Sequence, residues 1–168
     1  RHCLRAHRSL EFHWRPVVIA LVDGRSGSGK TELAKLMVEA MPEFQLVRLD
    51  DLYPGWDGLD AGSAAVPDII RERRWRAWDW TADRPGAWHE LDAVRPLVIE
   101  GVGAISRASR ALATIAIWVE LDDATRKRRA LERDGDAYAP HWDRWAAQEL
   151  EFIARENPAS LASVIVES

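Results

Sequence analysis

The sequence predicts an α/β protein, a three-layer sandwich around a mainly parallel five-stranded sheet, and three observations carry that prediction. Short apolar runs at 17–22, 44–49, 97–100, 114–121 and 162–166 alternate with helical stretches, the order that a parallel sheet with right-handed crossovers requires. The first run, Val17-Val18-Ile19-Ala20-Leu21-Val22, is continuously apolar rather than alternating, the pattern of a strand covered on both faces. Directly after it comes Gly24 to Thr31, G-R-S-G-S-G-K-T, which satisfies G-x-x-x-x-G-K-[ST] in the strand, loop and helix context that a phosphate-binding loop demands. The 168 residues have the length of one domain, so 1–168 is read as a single unit with a lead-in at 1–16.

Composition excludes several classes. With 47% hydrophobic and 30% charged residues the chain resembles ordinary globular proteins. No apolar run approaches the ~20 residues that span a bilayer, and no secretory signal is visible, so no membrane partner and a cytoplasmic location are expected. Cys3 stands alone and can form neither an internal disulfide nor a metal set. A net charge of −4 argues against bulk nucleic-acid binding. Of the 23 basic residues only Lys30, Lys35 and Lys127 are lysines, and arginine is the side chain suited to bidentate phosphate contact, although base composition of the genome explains an arginine bias equally well.

Taken in order, residues 1–15 are polar and suit a short amphipathic lead-in helix. Their histidines, His2, His7 and His13, are spaced by five and six residues and lack the i, i+4 arrangement of a helical metal pair. In the phosphate loop, Gly24, Gly27 and Gly29 permit backbone conformations that point N–H groups inward around an anion. The nucleotide contacts expected there are Gly24, Ser26, Gly27, Ser28, Gly29, Lys30 and Thr31, with Lys30 on the β- and γ-phosphates and the Thr31 hydroxyl on Mg²⁺. The helix that follows runs to about Met41, with Leu33, Leu36, Met37 and Ala40 on one stripe and Pro42 just beyond its end.

The second strand ends in Asp50-Asp51-Leu52-Tyr53, ahead of the turn-rich Pro54-Gly55-Trp56-Asp57-Gly58. Ligands in open α/β sheets bind beyond the strands' carboxyl ends, so acids there are candidates, while Asp51 serves equally well as a cap. A helix is expected over 63–76, its basic end (Arg71, Arg73, Arg74, Arg76) complementing the helix dipole. Trp75, Trp78, Trp80 and Trp88 then cluster, either to stack a planar ring or to roof the core. The third strand ends at Glu100, where an acid suits a site beside Mg²⁺. Asp122 or Asp123 caps the helix carrying Arg126, Lys127, Arg128, Arg129 and Arg133. A last amphipathic helix covers 142–155 before the final strand.

The ordered set Gly24 to Thr31, Asp50-Asp51-Leu52-Tyr53, Trp78-Asp79-Trp80, Glu100-Gly101 and Thr125-Arg126 through Arg133-Asp134 resembles the uridine kinase and phosphoribulokinase group of P-loop kinases over 17–166. The resemblance implies the three-layer P-loop NTPase fold, ATP and Mg²⁺ as donor and metal, and a small-molecule hydroxyl acceptor. It implies Asp50 as catalytic base, Tyr53 in the acceptor pocket, Trp78 and Asp79 near a nucleoside, and Glu100 near the metal, directly or through water. Arg126, Arg129 and Arg133 match phosphate-clamping arginines of a lid at 122–140. The lid sequence Asp134-Gly135-Asp136-Ala137-Tyr138-Ala139-Pro140 departs from the arginine-rich loop usual in uridine kinases, and 53–58 does not align with nucleoside contacts. Two alternatives stand beside the kinase: an NTP-binding or hydrolysing regulatory module without an acceptor, and a nucleoside monophosphate kinase using Arg71 to Arg76 for the acceptor's phosphate. Homo-oligomerisation is left open by the sequence.

Overall fold

A computed structural model describes residues 16–168; the three N-terminal histidines, Cys3 and the expected lead-in helix lie outside the described residues. In chain order the strands are β1 (Ile19–Asp23), β2 (Gln45–Arg48), β3 (Arg74–Asp79), β4 (Arg84–Glu90), β5 (Leu97–Glu100), β6 (Ile115–Glu120) and β7 (Val164–Glu167). The helices are α1 (Lys30–Ala40), α2 (Leu59–Glu72), α3 (Arg107–Arg110), α4 (Asp123–Tyr138), α5 (Trp142–Glu156) and α6 (Pro158–Leu161). Five strands form one wholly parallel sheet ordered β2-β5-β1-β6-β7, while β3 and β4 pair separately as an antiparallel hairpin.

Strand alternation divides the core in two. Ile19, Leu21, Leu97 and Ile99 pack with Leu59, Val66 and Ile69 of α2 and with Trp145 and Phe152 of α5. Their neighbours Ala20, Val22 and Val98 point the other way, onto Ala34, Leu33 and Met37 of α1. This is the three-layer sandwich, with the phosphate loop at the carboxyl end of the central strand. No helix among the described residues is long and apolar enough to cross a membrane.

The expected helix at 63–76 is corrected. It begins earlier, at Leu59, carries Pro67 in its interior, and stops at Arg73, whose φ of 56° is left-handed. Beyond it the period is two: Arg74 and Arg76 are exposed, and Trp75 and Ala77 are half-buried. Cross-strand pairing explains why this stretch leaves the helix. Trp75 stacks on His89 at 4.3 Å, and the Arg74 guanidinium lies 4.7 Å from the Trp88 ring, contacts of the kind that stabilise antiparallel pairs.

Candidate active site

Gly27 sits at φ 78°, and a Cβ there would lie 2.1 Å from the Arg126 carbonyl oxygen, so only glycine fits where the loop crosses α4. The loop is held from several sides. Asp23, fully buried at the end of β1, accepts the N–H groups of Gly24 (2.7 Å), Gly103 (3.2 Å) and Ile105 (2.9 Å), joining the loop to the segment after β5. Burial pushes the Asp23 carboxyl up to about 7, opposed by those N–H bonds and by Lys30. Arg126, itself buried, donates to the Ser26 carbonyl at 3.0 Å and pairs with Asp123. Glu149 on α5 accepts the Ser26 N–H at 3.2 Å and the Arg25 Nε at 3.0 Å.

The α1 face of the sheet gathers the charged centre. Leu46 and Val98 face α1, so two residues further along each strand Arg48 and Glu100 do as well, and the register places them opposite each other. Glu100, 2% exposed, accepts the Thr31 hydroxyl at 3.0 Å and the Arg48 Nε at 3.1 Å, both on Oε1. Arg48 reaches on to Asp50 at 3.6 Å. A threonine hydroxyl beside one carboxylate is a hard-oxygen set of the kind that takes Mg²⁺ together with phosphate oxygens, so Thr31 and Glu100 fit that ion. Asp50 itself stands on a tight turn, Leu49–Asp51, just beyond β2. Partial burial raises the Asp51 carboxyl, with Arg48 acting against it. Asp51 does not line the cavity described next.

Asp50 opens into a cavity of about 480 Å³ shared with Ser26, Lys30 and Arg133. Its walls are aromatic. Tyr53, Trp56, Trp80, Tyr138 and Trp145 line it, with Trp56 stacked on His141 at 4.4 Å and on Tyr138 at 5.4 Å. Tyr53 is fixed: its hydroxyl donates to the Val102 carbonyl at 2.6 Å, and Gly62 of α2 lies so close that a Cβ would meet the ring at 2.4 Å. Burial pushes the phenols of Tyr53 and Tyr138 upward, which keeps both protonated. Trp78 and Asp79 do not line this cavity; Asp79 accepts the Thr81 and Ala82 N–H groups in the hairpin turn, and Trp78 lines a different cavity, between the hairpin and α2. The strand's register shifts between Arg76 and Trp78, and β3 ends at Asp79, so Trp80 stands in the turn and is not bound to the face that Trp78 occupies. Trp80, just past the strand, is the hairpin residue that reaches the site, donating its indole N–H to the Asp50 carbonyl at 2.8 Å.

A second cavity, about 600 Å³, lies across the phosphate loop and is lined by Gly27, Gly29, Leu33, Val119, Arg129 and Arg133. The three lid arginines therefore separate. Arg126 braces the loop from beneath instead of closing over it, Arg129 stands in the second cavity, and Arg133, paired with Asp134 at 2.8 Å, lines both cavities. Asp122 is the cap of α4, accepting the Thr125 N–H at 2.9 Å. Gly135, at φ 50° and ψ −130°, breaks α4 two residues beyond Arg133. Arg71, Arg73, Arg74 and Arg76 line neither cavity.

Several of these residues carry no motif. Arg48, Glu149, Trp145 and Tyr138 enter the site only because the sheet register and the packing of α4 and α5 bring them there, and Trp56 reads in sequence as a turn residue. Asp23 is the acid that ends the apolar run directly before the loop, which is the one sequence sign of its role.

No protein-family model matches the sequence, and no curated protein matches it. Solved structures do. A structure described as a possible uridine kinase from Bacillus stearothermophilus aligns at TM-score 0.61 and 16% identity, over 94% of this chain and 92% of the other. A gluconokinase from Sinorhizobium meliloti 1021 aligns at 0.55 and 19%, over 90% and 82%. A shikimate kinase from Bacteroides thetaiotaomicron aligns at 0.54 and 15%, over 88% and 85%. At such identities the similarity is one of fold, and that fold is the P-loop NTPase sandwich common to these small-molecule kinases.

Proposed function

We propose that the chain is an ATP-dependent kinase that transfers the γ-phosphoryl group to a hydroxyl of a nucleoside-like or other small metabolite. One observation carries the reading: two cavities lie on either side of the phosphate loop, with Lys30 and Asp50 in the first, Gly27 and Gly29 in the second, and Arg133 lining both. A hydrolytic switch has no use for a separate aromatic cavity with a carboxylate in it. In this reading the second cavity takes the donor's nucleoside, and Gly24, Ser26, Gly27, Ser28 and Gly29 present the loop to its phosphates. Lys30 and Arg133 balance the charge spread over the equatorial oxygens, with Arg129 on the donor side. Arg126 contributes by holding the loop's shape. Thr31 and Glu100 hold Mg²⁺, which when bound supplies further charge neutralisation at the phosphates.

The acceptor lies in the first cavity, its flat or apolar part against the aromatic walls and its hydroxyl toward Asp50. Asp50 takes the hydroxyl proton as the acceptor oxygen bonds to the γ-phosphorus and the bond to the β-bridging oxygen breaks, releasing ADP. Closure over the site excludes water, which would otherwise divert the phosphoryl group to hydrolysis. The four arginines at 71–76 lie outside both cavities, which favours an unphosphorylated acceptor over a nucleoside monophosphate. The test is ATP consumption with and without a panel of nucleosides, sugars and vitamins. The reading expects slow turnover alone and a marked increase with one acceptor class; fast turnover that no acceptor changes would overturn it in favour of an NTP-hydrolysing module.

A further inference from the structure

α5 touches both halves of the site. One turn apart on the same helix face it carries Trp145 and Glu149. The Trp145 ring lines the first cavity and meets the Tyr53 ring edge-on at 4.8 Å. Glu149, only 1% exposed, accepts the Ser26 N–H on one oxygen and the Arg25 Nε on the other. Between them Gln148 donates to the Trp56 carbonyl at 2.6 Å, so the segment forming the cavity's outer wall hangs from the same helix.

A buried carboxylate beside an anion-binding loop is an unfavourable choice on charge alone, because it repels the phosphates the loop receives. Arg25 offsets that charge. What Glu149 gains is geometry: it pins the N–H of Ser26 while Arg126 pins the same residue's carbonyl from α4. Ser26 directly precedes Gly27, at φ 78°, where the loop starts to turn its N–H groups inward. Fixing the Ser26 peptide on both sides sets the direction of the N–H groups that follow.

We propose that Glu149 is a positioning residue of the phosphate loop and that, through α5, it links nucleotide occupancy of the loop to the shape of the aromatic cavity. This rests on the kinase reading only in requiring that the loop binds a nucleotide. A shift of the loop on loading pulls on Glu149, and a rigid helix passes that shift to Trp145 within one turn and to Trp56 through Gln148. Couplings between sites are typically about 5- to 150-fold in affinity and act in both directions, so an acceptor seated on Trp145 tightens the nucleotide equally.

Two variants separate positioning from general stability. In Arg25→Met/Glu149→Gln the amide oxygen still accepts the Ser26 N–H and no buried charge is left unpaired. In Arg25→Met/Glu149→Leu the shape is kept and the acceptor is gone. Calorimetry with Mg·ADP should give the glutamine variant an affinity within about threefold of the wild type and the leucine variant one about tenfold weaker, the size of a lost hydrogen bond of this kind. Equal affinities in two variants with matching melting temperatures would overturn the positioning role. The link to the cavity is read in the wild type, independently of whether the variants fold. Protein labelled with 5-fluorotryptophan, its Trp145 resonance assigned with Trp145→Phe, is titrated with Mg·ADP, which carries no γ-phosphate toward the cavity. The Trp145 resonance should move in step with binding; a resonance that stays put while calorimetry records binding would sink the coupling. No binding of Mg·ADP at all is a different failure, that of the nucleotide reading itself.

Discussion

Arg48 and Glu100 stand opposite each other on neighbouring parallel strands, and the arginine Nε donates to the one glutamate oxygen that also accepts the Thr31 hydroxyl, at 3.1 and 3.0 Å. The other end of the guanidinium faces Asp50 at 3.6 Å. A single cation thus joins Glu100 to Asp50, the acids that the proposed kinase reading assigns to the metal and to the acceptor, and it gives the buried Glu100 a partner. Removing it with Arg48→Met should lower unfolding free energy by about 2 kcal/mol, less than the 3–5 typical of a fully buried pair because Arg48 remains partly exposed. Urea unfolding checks this, and Arg48→Lys should recover part of the loss while failing to span both carboxylates.

Asp50→Asn keeps the shape of the cavity and removes the proton acceptor. Turnover is expected to fall about 10²- to 10⁴-fold with nucleotide affinity almost unchanged. Near-normal turnover with normal binding would end the assignment of Asp50 as base.

Gly62→Ala places a methyl group where the Tyr53 ring now lies, at 2.4 Å. The ring must move, breaking its bond to Val102 and deforming the first cavity. A loss of about 1–3 kcal/mol in stability is expected from overpacking of this size, together with a raised acceptor KM. Thermal melting and acceptor kinetics report the two effects separately.

Asp23 reverses the usual pH behaviour of an acid. Burial raises its carboxyl from 3.8 to about 7, so between those values the folded chain holds a proton that the unfolded chain releases. Its contribution to stability is therefore largest at acid pH, declines as pH rises through that window, and is level above it. Asp23→Asn loses the bond to one of the three N–H groups at every pH, a constant offset. The difference in unfolding free energy between wild type and Asp23→Asn should slope downward from about pH 4 to pH 7; a flat difference would show that the three N–H bonds outweigh burial.

What the sequence made legible was whatever depends on local order. The phosphate loop is eight consecutive residues, and the five parallel strands are apolar runs, so both follow from pattern alone. The hairpin was hidden by composition, because Arg71 to Arg76 looks like a basic helix end until the alternation of Arg74, Trp75, Arg76 and Ala77 is set against the partner strand carrying Trp88 and His89. The placement of Trp78 and Asp79 fails because the register of β3 shifts after Arg76 and the strand ends at Asp79, which no local pattern announces, and it is Trp80 in the turn that reaches Asp50. Arg48 and Glu149 were illegible in principle, since a charged residue at a strand end or on an amphipathic helix is ordinarily solvated, and only the register with Glu100 pairs Arg48 across the sheet, while the packing of α5 under the loop takes Glu149 out of water.

The bonds that assemble this site join residues far apart in the chain: 52 positions between Arg48 and Glu100, 69 between Thr31 and Glu100, 123 between Ser26 and Glu149. Contacts of such long range close late and slowly during folding, after a large loss of chain entropy. No stretch of the chain holds a working half of the site, and a partly folded molecule with its loop formed still lacks Glu149 and Glu100. Nucleotide binding during refolding should therefore lag behind the recovery of helix measured by circular dichroism, making the ligand a reporter of the last long-range contacts to form.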